Sequence, residues 1–279
     1  MMLFKDRKVV FDSTKVMGIL NVTPDSFSDG GQYNSIDKAL LHAQQMVDDG
    51  ATFIDVGGES TRPGAEAVSI QEELDRVIPV IDCINQNLDV IVSVDTSKPE
   101  VMIEAAQAGA RLINDVRALQ MPGAIEAASK LAKEENIPSC IMHMQGTPQT
   151  MQHAPKYKFV IDEVMDFFRT RVENLCEAGF KYNQIMLDPG FGFGKTLDHN
   201  YQILKYFVQF TQFDLPTLAG MSRKSMIGNL LNRDITDRLA GDTAANTIAA
   251  MAGASVLRVH DVKEAMDAIK IVDKVNSVQ

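Results

Sequence analysis

The sequence is sparing in cysteine, in positive charge and in long apolar runs, and each shortage removes a class of protein. Its three cysteines, Cys83, Cys140 and Cys176, are odd in number, far apart and outside any C-x-x-C spacing. A disulfide framework or a zinc site therefore lacks the residues it needs, and the three are expected as buried free thiols in a reducing compartment. Lysine and arginine number 27 against 37 aspartates and glutamates, for a formal net charge of −10. That balance repels nucleic acid and anionic membranes at long range, so an anionic ligand must meet a local basic pocket. No run approaches the roughly 18 apolar residues of a membrane-spanning helix. The opening stretch, MMLFKDRKVVFDSTK, is interrupted by Lys5, Asp6, Arg7 and Lys8 where a secretory signal would be apolar. The expectations are a cytoplasmic location and no nucleic-acid or membrane partner.

What is present suits a soluble globular fold. Hydrophobic residues make up 45% and charged residues 23% of the 279 positions, enough apolar material for a core and far from the composition of disordered chains. Eight short apolar runs alternate with longer amphipathic segments: VMGILN (16–21), TFIDVG (52–57), VIVSVD (90–95), RLINDV (111–116), SCIMHM (139–144), QIMLDP (184–189), TLAGMS (217–222) and SVLRVH (255–260). Runs this apolar read as parallel strands covered on both faces, and the segments between them as helices. Ser69 with Glu72 forms a capping-box pattern ahead of a helix to about Cys83; Ser35 and Ser97 or Lys98 mark two further helix starts. Val160, Val164, Phe167 or Phe168, Val172 and Leu175 recur at helical spacing, as core or interface.

Eight such units without a linker or composition break predict one α/β domain over 1–279, a (β/α)₈ TIM barrel. A doubly wound open sheet is the alternative, but it rarely runs to eight units and usually carries a glycine fingerprint after its first strand. The first nine or ten residues read as a short hairpin closing the barrel's bottom.

Each apolar run ends at or near a polar residue: Asn21, Asp55, Asp95, Asn114 with Asp115, His143, Asp188, Ser222, and Arg258 with His260. In a parallel barrel these ends share the face that carries active sites. Two long loops, 21–34 and 57–69, follow the first two strands and read as binding loops or lids. The stretch DPGFGFGKT (188–196) imitates a phosphate loop without matching one. Gly190 and Gly194 enclose three residues where a Walker A loop has four, and the glycines at 190, 192 and 194 miss G-x-G-x-x-G as well.

Arg62, Lys224, Arg258 and His260, with the donors Asn21, Thr61 and Ser222, form a set able to hold a phosphate or diphosphate. Asp95, Asp188 and Asn114 supply the opposite chemistry, since a carboxylate can accept paired N–H groups from a flat heterocycle with a guanidine-like edge. A divalent metal between two carboxylates competes with that reading. No histidine cluster or EF-hand spacing supports a protein-only site, so Mg²⁺ carried on a ligand's phosphates, with Asn21 as a neutral oxygen ligand, fits better.

NVTPDSFSDGG (21–31), DVGGESTRPGA (55–65), SVDTSK (93–98), INDV (113–116), LDPGFGFGK (187–195), SRKS (222–225) and RVHDV (258–262) resemble the dihydropteroate synthases of folate biosynthesis, in that family's order and from first strand to last helix. The resemblance implies a magnesium-assisted transferase and sulfonamide target in which 4-aminobenzoate displaces pyrophosphate from (7,8-dihydropterin-6-yl)methyl diphosphate, giving 7,8-dihydropteroate. Carried over by motif, Asp95, Asn114, Asp188, Phe193, Lys224 and Arg258 hold the pterin. Asn21, Thr61, Arg258 and His260 hold the diphosphate, and Phe27, Arg62, Pro63, Ser222 and Lys224 shape the aminobenzoate pocket. Asp95, Lys224, Arg258 and His260 are the catalytic candidates. Lys195 is expected at a structural or rim position, the glycines beside it letting backbone approach the ring. The resemblance also implies a homodimer. Two rivals are a pterin-binding methyl-transfer barrel, which has no use for a diphosphate pocket, and a silent pterin-binding relative.

Overall fold

The structure, a computed structural model, describes residues 1–22, 32–60, 68–146, 151 and 155–278, with the backbone alone for 32–35. The described residues form ten strands: β1 (Met2–Phe4), β2 (Arg7–Val9), β3 (Lys15–Asn21), β4 (Phe53–Gly57), β5 (Ile91–Asp95), β6 (Leu112–Asp115), β7 (Ser139–Met142), β8 (Ile185–Asp188), β9 (Leu218–Ala219) and β10 (Val256–Val259). The first two pair antiparallel as a hairpin. The other eight are one parallel sheet in the order β8-β7-β6-β5-β4-β3-β10-β9. A parallel bridge from Leu187 to Thr217, with the Leu187 N–H donating to Pro216 O at 2.9 Å, joins the two ends and closes a (β/α)₈ barrel. All eight expected strands are present. The seventh, β9, is only two residues long because the chain turns at Met221–Lys224 before its expected end.

Nine α-helices accompany them among the described residues: α1 (Gln32–Asp48), α2 (Ile70–Asn87), α3 (Pro99–Ala108), α4 (Ala124–Glu135), α5 (Val160–Glu177), α6 (Leu197–Lys205), α7 (Ser225–Leu231), α8 (Leu239–Met251) and α9 (Val262–Ser277). The capping box at Ser69 forms in both directions: Glu72 N–H donates to Ser69 Oγ at 3.2 Å, and Ser69 N–H to Glu72 Oε2 at 3.0 Å. The helix it starts continues four residues past Cys83, through Pro79. Lys98 caps α3, whereas α1 begins at Gln32, ahead of Ser35.

Alternation along the strands sorts the interior into layers, since residues two apart share a face. The outward residues Val16, Leu20, Ile54, Val56, Val92 and Val94 pack in the shell under the helices. The inward residues Met17, Phe53, Ile91, Leu112, Cys140, Met186, Leu218 and Val256 make an apolar floor, which the hairpin plugs with Met2, Phe4 and Val9. Phe4 meets Phe53 edge to face at 5.1 Å, and burying such a side chain contributes about 1.5–3 kcal/mol.

One expectation fails. Of the cysteines only Cys140 is buried; Cys83 is half-buried and Cys176 exposed. Cys140 sits on the inward face of a strand, while the other two ride on amphipathic helices, where the side facing away from the shell is open to water.

Candidate functional site

One step above the floor the inward positions turn polar. Asp55 follows Phe53 on β4, Ser93 and Asp95 follow Ile91 on β5, Asn114 follows Leu112 on β6, Asp188 follows Met186 on β8 and Arg258 follows Val256 on β10. The ladder register lines up Asn21, Gly57, Asp95 and Asn114 as successive lateral partners from β3 to β6. Gly57 lies between Asn21 and Asp95 in this row, and a side-chain carbon there would make ordinary contacts, 3.7 Å from Asn21 Oδ1 and 3.8 Å from Asp95 Oδ2.

Arg258 ties the layer together. Its Nε donates to Asp55 Oδ2 at 2.6 Å and its Nη2 to Asp95 Oδ2 at 2.9 Å, while Asn114 Nδ2 also donates to Asp55 Oδ2 at 2.9 Å. Burial works against the guanidinium charge, but the two carboxylates outweigh it and hold Arg258 above the ordinary arginine range. Asp95 is raised to about 7: burial is the main cause, Arg258 opposes it, and Asp55 adds like-charge repulsion. Asp188 is raised by burial, with Lys224 and the Gly190 N–H opposing. That N–H donates to Asp188 Oδ1 at 2.7 Å; Oδ2 keeps no hydrogen-bond partner among the described residues.

Two lysines organise the DPGFGFGKT stretch in different ways. Lys195 Nζ is buried and donates to the carbonyls of Gly190 (2.8 Å), Phe193 (3.0 Å) and His143 (3.2 Å), with His143 Nδ1 at 3.0 Å. It is a knot inside the loop, so of the two expected positions it holds the structural one. Burial pushes it down to about 7, with Asp188 opposing and Lys224 adding to the shift. Lys224 instead reaches across from the N-cap of α7, donating to Phe191 O at 2.6 Å and lying 4.6 Å from the Phe193 ring centre. Burial lowers it to about 8, with Asp188 opposing. The glycines answer first to the neighbouring strand end: a side-chain carbon on Gly190 (φ +73) would lie 2.0 Å from His143 O, and one on Gly194 (φ +63) 2.5 Å from Gln145 O. Backbone packed this closely, in left-handed conformations, admits only glycine.

At the far side of the mouth Ser222 Oγ lies 3.0 Å from His260 Nδ1 and accepts the His260 N–H at 3.2 Å. The stem of the second long loop is braced from below: Lys98 pairs with Glu59 and Glu73, and Arg76 donates to Gly58 O at 2.9 Å. Asn21 is exposed at the rim. Phe27, Thr61, Arg62 and Pro63 lie outside the described residues.

Asp95, Asn114, Asp188, Phe193, Ser222, Lys224, Arg258 and His260 thus all belong to one barrel mouth. Sequence reasoning gave no role to Asp55, which is fully buried and accepts from both Arg258 and Asn114; the available signal was a carboxylate in mid-strand. Asp115 and His143, two other polar strand ends, are braces. Asp115 accepts the N–H groups of Arg117 (2.8 Å) and Leu119 (2.7 Å) and the Ser97 hydroxyl. His143, pushed down to about 2 by burial and by Lys195, packs its ring 4.9 Å from Phe167.

Comparison with known proteins agrees with this geometry. A family model described as pterin binding enzyme matches residues 17–260. The chain is 57% identical to the dihydropteroate synthase of Escherichia coli over 258 residues, 92% of this chain and 90% of the relative. Among solved structures it resembles Yersinia pestis dihydropteroate synthase in complex with a sulfonamide drug (TM-score 0.93, 54% identity, 98% of each chain covered). It also resembles Xanthomonas albilineans dihydropteroate synthase with 4-aminobenzoic acid (TM-score 0.90, 44% identity, 97% and 96% covered). A barrel shared at this identity, and over nearly the whole length, makes the chain a member of the pterin-binding enzyme family, within its dihydropteroate synthases.

Proposed function

We propose that the protein condenses (7,8-dihydropterin-6-yl)methyl diphosphate with 4-aminobenzoate, forming 7,8-dihydropteroate and releasing pyrophosphate. The observation that carries the reading is the pairing, within one mouth, of a buried carboxylate with an unengaged oxygen, Asp188, and the cations Lys224 and Arg258. A flat guanidine-like edge can donate to the first, and an anionic leaving group is drawn to the second.

In this reading Asp188, Asn114, Asp95, Phe193, Lys224 and Arg258 hold the pterin. Asn21, Thr61, Arg258 and His260 face the diphosphate; Phe27, Arg62, Pro63, Ser222 and Lys224 form the aminobenzoate pocket, which sulfonamides would share. The methylene carbon–oxygen bond breaks first and the pterin ring supplies electrons to the carbon. Asp95 favours the positive charge that develops there, Arg258 and His260 favour the departing anion, and the amine nitrogen then bonds to the carbon and loses a proton. Rapid mixing tests this order: cleavage that waits for 4-aminobenzoate would sink it.

Among the described residues no group of three or more histidine, cysteine, aspartate or glutamate side chains is arranged around a metal. A single neutral oxygen, Asn21 Oδ1, in the same rim row as Asp95 with Gly57 between them, suits Mg²⁺ that keeps most of its shell from phosphate and water. Bound there, the ion would neutralise charge on the diphosphate.

A homodimer is proposed from Leu230, Leu231, Leu239, Ile248, Met251 and Ile271 on α7, α8 and α9, all exposed apolar side chains. Sedimentation at the monomer mass would exclude it. A cytoplasmic location is proposed with it. The reaction itself is tested by mixing protein, pterin diphosphate, 4-aminobenzoate and Mg²⁺. Pyrophosphate release that depends on aminobenzoate is expected; no such dependence would reject the assignment.

A further inference from the structure

Ser222 and Lys224 both serve the mouth, yet the residue between them is strained. Lys224 N–H donates to Met221 O at 3.1 Å, closing a tight turn in which Arg223 has φ +58. That left-handed conformation is normally left to glycine or asparagine. Both backbone polar groups of Arg223 are held from one turn of α8 and its N-cap. The Arg223 N–H donates to Asp242 Oδ2 at 2.8 Å, and Arg238 Nη1 donates to Arg223 O at 2.8 Å. Asp242 is only 3% exposed. The Arg238 guanidinium reaches the turn over Gly228, where a side-chain carbon would come within 2.3 Å of it. The Arg223 side chain points away to Asp261, Nη2 to Oδ1 at 2.7 Å.

We propose that Asp242 and Arg238 are positioning residues: they clamp the strained Arg223 peptide groups and thereby aim Ser222 and Lys224 at the aminobenzoate side of the mouth. The effect on substrate rests on the function proposed above; the clamp does not. A turn left to relax would rotate the two flanking side chains while the pterin carboxylates, on other strands, stay where they are. Because Lys224 also borders the pterin through Phe193, the signature is a KM for 4-aminobenzoate that rises several-fold more than the KM for the pterin diphosphate.

The test compares wild type with Asp242→Leu, Asp242→Asn and Gly228→Ala, reading steady-state kinetics together with amide hydrogen exchange of the 221–225 segment. Asp242→Leu is expected to raise KM for 4-aminobenzoate about tenfold, several-fold more than KM for the pterin diphosphate, and to speed exchange at Arg223. Asparagine keeps the acceptor oxygen and should restore KM to within about threefold. Gly228→Ala displaces the Arg238 guanidinium and should give an intermediate rise. Unchanged KM in a folded Asp242→Leu protein overturns the proposal, with or without faster exchange, and so does an asparagine variant as impaired as leucine. If leucine prevents folding, unchanged KM and exchange in Gly228→Ala overturn it. If wild type releases no aminobenzoate-dependent pyrophosphate, the assigned reaction fails while exchange still decides the clamp, faster exchange in Gly228→Ala supporting it and unchanged exchange removing it.

Discussion

The floor and the mouth of the barrel are built by the same strands, two residues apart, yet they answer to different physics. Phe53 and Asp55 point the same way from β4, as do Leu112 and Asn114 from β6, and Val256 and Arg258 from β10. Below, dispersion and burial hold the layer with no directional requirement, so the hairpin can plug it with Met2, Phe4 and Val9. Above, buried polar groups depend on partners at definite distances, and Arg258 supplies one to Asp55 Oδ2 and Asp95 Oδ2 together. The floor stabilises the fold, and the mouth uses part of that stability to hold charges out of water.

The sharpest way to break this contrast is Arg258→Leu, which leaves the fully buried Asp55 without its cation. Stability should fall by about 3–5 kcal/mol in denaturant titration, and kcat/KM by more than about a thousandfold, the scale of losing a preorganised charge. A variant retaining half its activity would mean the cation is not used in the reaction. Phe53→Ala in the floor should cost about 3–5 kcal/mol of stability, with kcat/KM of the still-folded protein within about threefold of wild type. Loss of activity matching that of Arg258→Leu would erase the division of labour.

Asp188→Ala should weaken pterin binding, measured by calorimetry, by roughly a hundredfold through lost charge-assisted hydrogen bonds; unchanged affinity would move the pterin elsewhere. A pH profile sharpens the electrostatic side. Lys224, lowered to about 8, carries its proton below that pH and loses it above, so kcat/KM should fall as pH rises through about 8. Lys224→Arg should carry that limb beyond the accessible range, and an unmoved limb would assign it to another group. The smallest effect is expected for Ser222→Ala, a few-fold rise in KM for 4-aminobenzoate of about one neutral hydrogen bond; an equal change in pterin affinity would contradict the separate pockets.

Much of this was legible before any coordinates. Eight apolar runs with longer amphipathic segments between them leave few folds, and the polar terminal residues of those runs mark one face. The capping pattern at Ser69 and Glu72 forms as written because it needs only local geometry. What stayed hidden depends on contacts across long stretches of chain. Asp55 is paired with a residue 203 positions away, and Lys195 is surrounded by carbonyls from two strand ends. The exposure of Cys176 depends on which side of α5 meets the shell. Even Gly190 and Gly194 of DPGFGFGKT turn out to be required first by the carbonyls of His143 and Gln145.

By itself, then, the amino-acid order determined the strand count and which residue types would gather at the mouth, because apolar runs, their polar ends and capping act over a few residues. Only the closed barrel decided which charge meets which: why Lys195 is a brace and Lys224 is not, and why Arg223 can occupy a glycine's conformation. Pairing energies depend on distance and burial, and both are defined only once the strands have met.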